Sequence, residues 1–100
     1  MPDHTFEAQL FAWDPDLPDS WNFVALPEDV SDEIEESVGG EPRGFGSVRV
    51  GARLGATEWT TSLFPSKAHG AYILPVKRAV RRTAGVEAGD TATFTVTVLH

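Results

Sequence analysis

Four cations crowd one short stretch of this chain, Lys77, Arg78, Arg81 and Arg82, and Lys67 precedes them in an upstream loop. Lys77 with Arg81, and Arg78 with Arg82, stand four residues apart. On a helix each such like-charged pair repels by roughly 0.2–0.5 kcal/mol, so something must offset the crowding. The chemistry open to such a face is anion capture, because guanidinium forks hold carboxylates and phosphates through paired hydrogen bonds. The structural reading stands beside it: the negative end of the helix dipole suits Arg81 and Arg82, and the carboxylates of an acidic helix upstream balance the rest. His69, between Lys67 and Gly70, falls in a tight loop that would leave its imidazole exposed. Lys67, His69, Lys77, Arg78, Arg81 and Arg82 form the candidate ligand-binding set.

Other residue types narrow the choice. There is no cysteine, which removes disulfides, thiolate nucleophiles and thiolate metal sites. The three histidines show no ligand spacing, so neither a metal nor a cofactor is expected. Thr61, Ser62 and Ser66 lack the Gly-x-Ser-x-Gly turn of an activated nucleophile. Gly44-Phe45-Gly46 lacks the Lys-Ser/Thr and the following helix of a phosphate loop, and reads as a hinge into a strand. No catalytic residue is assigned. The leading expectation is a binding or interaction module for an anionic small molecule or an acidic protein partner. The alternative is an enzyme or enzyme subunit acting on a small anionic substrate held between the 65–70 loop and the basic helix.

The net charge of −7 conceals a separation along the chain. Residues 1–42 hold twelve of the fifteen carboxylates and no Lys or Arg, whereas residues 43–82 hold all eight basic residues and one acid, Glu58. Two readings stay open: mutual neutralisation within one unit, or a two-faced molecule whose basic side meets an anion. The pI near 4.7 argues against nucleic acid as the partner. One hundred residues make a single domain, 1–100, with one core. The acidic start MPDHTFEAQL lacks the basic stretch and apolar run of a leader, and no window is apolar enough to span a membrane. A cytoplasmic monomer or homodimer is expected.

The elements that must position these residues are legible as periods. Phe6, Ala8, Leu10 and Ala12 alternate with polar neighbours through a strand at 5–13, and a second strand covers 21–26. Pro27 then suits a first helical turn, with Val30, Ile34 and Val38 as its apolar stripe and Gly39-Gly40 as its stop. Gly55-Ala56 fits a two-residue type II′ turn, which sets Leu54 against Thr57, Arg53 against Glu58 and Ala52 against Trp59. A fifth strand at 71–74 leads into a helix from Pro75 to about Ala84, capped by Gly85, with Val76, Ala79, Val80 and Thr83 on its apolar side. The last strand turns Ala92, Phe94, Val96 and Val98 inward and four threonines outward. Trp21, Trp59, Phe64 and Tyr72 are expected mainly in the core. Trp13 falls on the polar face of its strand, where an aromatic favours ligand stacking or a dimer contact.

These pieces together resemble a known bacterial family, the domain of unknown function DUF1905. The resemblance rests on Phe6 to Leu10, Trp21 to Pro27, the GSVRV strand, SLFP with Ser66-Lys67 and Gly70, the Tyr72 to Lys77 step, and Gly89-Asp90. It implies a mainly β fold, a small six-stranded double-split β-barrel with two short helices, and transfers no catalytic residue. The likeness of that fold to swapped-hairpin bacterial transcription regulators adds a nucleic-acid-binding regulator as a second alternative, by fold alone. The DPDLPDSW insertion is more acidic than the family pattern and argues against a basic surface near the N-terminus.

Overall fold

A computed structural model describes residues 3–14, 16, 21–38 and 46–99. The elements in chain order are β1 (Asp3–Gln9), β2 (Phe11–Ala12), β3 (Asn22–Ala25), α1 (Glu28–Ser37), β4 (Val48–Leu54), β5 (Thr57–Ser66), β6 (Ala71–Val76), α2 (Arg78–Ala84) and β7 (Thr91–Val98). The strands pair antiparallel in the order β1-β7-β4-β5-β6-β3-β2. Both ends of that order belong to one chain segment. β1 pairs with β7 as far as Gln9↔Thr91, and two residues later β2 pairs with β3 at Phe11↔Phe23.

β5 is shared in the same way. Its first part runs beside β4 from Leu54↔Thr57 to Val48↔Leu63, and its end runs beside β6 from Phe64↔Ile73 to Ser66↔Ala71. Two strands divided between two half-sheets make the curled, mainly β double-split architecture. The described residues form seven strands instead of the six expected, because the first strand is interrupted at Leu10. The Leu10 N–H donates to the Asp90 carbonyl at 2.8 Å, and the Gly89 N–H donates to the Leu10 carbonyl at 2.7 Å. Its backbone is therefore bonded to the turn before β7.

The β4–β5 hairpin has the register read from the sequence, including Arg53↔Glu58 and Ala52↔Trp59. Gly55 has φ 62°, and no described non-glycine residue has positive φ, which is the combination a type II′ turn needs. Val48, Val50, Ala52 and Leu54 from β4 meet Phe94, Val96 and Val98 from β7 in the core. Trp59 is only half-buried against that core, and its indole N–H is buried without a hydrogen-bond partner.

Helix α1 begins one residue later than expected, with Pro27 as its N-cap. Ile34 is fully buried, and Val30 and Val38 pack at the margin of the core. Ser31 is also buried: its hydroxyl accepts the Tyr72 backbone N–H at 3.0 Å, while the Leu26 N–H donates to the Tyr72 carbonyl at 3.0 Å. These bonds take over backbone groups of β6 where β3 stops at Ala25↔Ile73.

The second helix differs more from expectation. Pro75 and Val76 lie in β6, opposite Phe23 and Asn22, so α2 starts at Arg78. The β5 ladder has already ended at Ile73, so the missing Pro75 N–H breaks no bond on that side. Val80 enters the core with Ala84 beside it, whereas Ala79 and Thr83 are exposed. Two turns of helix give room for one anchor. Gly85 closes α2 in the left-handed conformation, φ 71°. The expected Gly39-Gly40 stop, the Gly44-Phe45 part of the hinge and most of the 14–21 insertion lie outside the described residues.

Candidate functional site

Lys67 and His69 occupy the turn between β5 and β6, and the turn is built from its own backbone. The His69 N–H donates to the Ser66 carbonyl and the Gly70 N–H to the Lys67 carbonyl, both at 3.3 Å. The Ser66 hydroxyl and His69 Nδ1 are 2.9 Å apart, which fixes the ring. The imidazole then faces Phe11, with ring centres 5.0 Å apart, and meets Phe23 edge-on at 6.0 Å. Phe11 and Phe23 are themselves 4.0 Å apart, and Trp13 lies 5.7 Å from Phe23.

This aromatic layer lies on the outer side of the sheet. Because Phe11 is paired with Phe23, and the Trp13 N–H donates to the Trp21 carbonyl at 2.7 Å, alternation puts residues 11, 13, 21 and 23 on one face. Phe23 is buried beneath its neighbours, while Trp13 and Trp21 are 72% and 69% exposed. Trp21 and Phe64 are thus not core residues as expected; Tyr72 is. Phe11 and Phe23 were missed as neighbours of His69. The signal was the alternation itself, since inward Leu10 and Ala12 require outward Phe11 and Trp13.

The cations of α2 are elsewhere. Lys77 follows β6 and the 67–70 turn precedes it, so the two groups lie at opposite ends of a six-residue strand, about 20 Å long. Lys77, Arg78 and Arg82 are exposed and Arg81 is half-buried. Arg81 and Arg82 fall in the last turn, where the helix dipole favours them, but Lys77 and Arg78 stand at the end it disfavours, with no acid in the first turn. Glu33 of α1 instead reaches His4 of β1, with Oε2 and Nδ1 3.4 Å apart. The Nε of Arg81 is buried without a partner.

The fold and this surface define a class, a small double-split barrel carrying an outer aromatic layer at one end of β6 and a cationic helix at the other. The family model described as "Domain of unknown function (DUF1905)" matches residues 6–96, and the chain belongs to that family. No curated protein matches it. Among the described residues no helix is long and apolar enough to cross a membrane.

Proposed function

We propose that this protein is a binding and interaction module whose α2 face receives an anionic small molecule or an acidic protein partner. The observation that carries the reading is the buried, unpartnered Nε of Arg81, in the same short stretch as Lys77 and Arg82. A buried guanidinium N–H without an acceptor is costly, and a phosphate or carboxylate oxygen would satisfy it while relieving the repulsion between neighbouring cations. We place the module in the cytoplasm, as a monomer or homodimer.

The test is a titration with pyrophosphate and with a hexaglutamate peptide, followed by backbone amide shifts. One of the two probes should give saturable shifts at residues 77–82, weakening steeply with salt and lost in the Lys77→Gln/Arg81→Gln variant. Flat titrations with both probes at low salt would remove the reading.

A further inference from the structure

Gly51 sits in the interior of β4, a central strand paired on both sides, between Val50 and Ala52 whose side chains are buried. Glycine there weakens a strand, by about 1 kcal/mol against a β-branched residue. Neither packing nor backbone explains it. A Cβ built at Gly51 meets nothing within 4 Å, and Gly51 is not among the positive-φ glycines.

What the missing side chain leaves is a trough on the outer face of the half-sheet, with a volume of about 380 Å³. Gly51 is its floor. Register places Thr60 on one flank and Thr97 on the other, with Asp3 beyond Thr97. One row along, Arg53 stands between Glu58 and Thr95. Neighbouring strands are about 4.8 Å apart and alternate residues about 6.7 Å, so these groups surround a space of small-molecule size.

The charges here are available. Arg53 and Glu58 are directly opposed, yet among the described residues no ion pair joins them. Asp3 is engaged through one oxygen, Oδ1, which accepts the Thr97 hydroxyl at 2.5 Å. That bond holds the carboxylate at the edge of the trough, which Asp3 helps to line. A floor of bare backbone, a guanidinium, two carboxylates and threonine hydroxyls form a site with both signs of charge, alongside the apolar Ala52 and Trp59.

We infer that the Gly51 trough binds a small zwitterion of amino-acid to dipeptide size. Arg53 takes the carboxylate through its guanidinium fork, Asp3 takes the ammonium group from the far side of Gly51, and Thr97, on the strand between them, faces the middle of the ligand. Gly51 lets the ligand lie against the strand. The inference is independent of the α2 reading, because no residue is shared.

Glycylglycine is the probe, with N-acetylglycine and glycinamide as its single-charge controls, and amide shifts as the readout. Glycylglycine should give saturable shifts at Gly51, Thr60 and Thr97, each control should bind at least about tenfold more weakly, and Arg53→Gln should reduce binding by a similar factor. Gly51→Val should abolish binding while leaving the melting temperature unchanged or raised. Absence of saturable shifts, equal binding of the controls, or a lower melting temperature for Gly51→Val overturns the inference; the last would mean that the glycine serves a bend in the strand. Lys77→Gln/Arg81→Gln should bind glycylglycine as the wild type does, which separates this site from the α2 face.

Discussion

Leu10 and Leu63 occupy equivalent positions, each standing at the point where a strand leaves one half-sheet for the other. β1 gives way to β2 across Leu10, and β5 passes from its last β4 partner at Leu63 to its first β6 partner at Phe64. Both leucines are almost wholly buried, at 1% and 0% exposure. A strand that changes sides must bend, and an inward leucine at the bend ties the two half-sheets to a common core.

Truncating either residue should therefore cost what a deep core cavity costs. Leu10→Ala and Leu63→Ala are each expected to lose about 2–5 kcal/mol in chemical denaturation. The surface substitution Leu99→Ala, where the side chain is 43% exposed, should lose less than about 1 kcal/mol by the same measurement. Equal small losses at all three would mean that the half-sheets are held together elsewhere.

The docking of α1 can be tested through one atom. Removing the Ser31 hydroxyl leaves the Tyr72 N–H buried with no acceptor, so Ser31→Ala should destabilise by about 1–3 kcal/mol. Ser37 offers the contrast. Its hydroxyl donates to the Ile34 carbonyl at 2.8 Å, but the residue is exposed, and Ser37→Ala should stay within about 0.5 kcal/mol of the wild type. Comparable effects at the two serines would show that the Ser31 bond does not dock the helix.

Periodicity carried most of the fold and little of the candidate site. Strict alternation fixed β7, and the Gly55-Ala56 turn fixed the hairpin register, because a slip of one residue would turn Val50 and Leu54 to water. The break at Leu10 has no local signature. It depends on which strands flank the segment, a long-range fact that alternation does not encode. Pro75 misled for a related reason, since proline suits both a helix start and a strand position whose neighbour has ended. The tryptophans misled through composition. Trp21 is large and apolar, but the register of β2 on β3 assigns it to the outer face.

Tyr72 should give the protein an alkaline weakness. Burial pushes its phenol above the ordinary value of 10.0, and the nearby Glu35 carboxylate pushes in the same direction. The neutral form is thus favoured more in the folded state than in the unfolded one. Stability from this group is fully present below pH 10 and is lost as pH rises from there through the folded-state value. Urea midpoints measured from pH 8 to 11 should fall above pH 10 in the wild type, and Tyr72→Phe should flatten the fall. An unchanged slope in the variant would assign the alkaline loss to other groups.

Lys77 is the residue on which stability and binding should oppose each other. It precedes α2 at the end of the dipole that repels cations, and stands four residues from Arg81. Lys77→Glu replaces one repulsion with an attraction at each of those partners. The free protein should gain about 0.5–1 kcal/mol, more at low salt where screening is weak, while the affinity for pyrophosphate or hexaglutamate falls. A cation that costs the free fold and improves capture of an anion is what a binding face requires. If Lys77→Glu instead lowers the thermal midpoint at low ionic strength, the lysine is holding a carboxylate of its own chain, and the basic helix is a structural clasp.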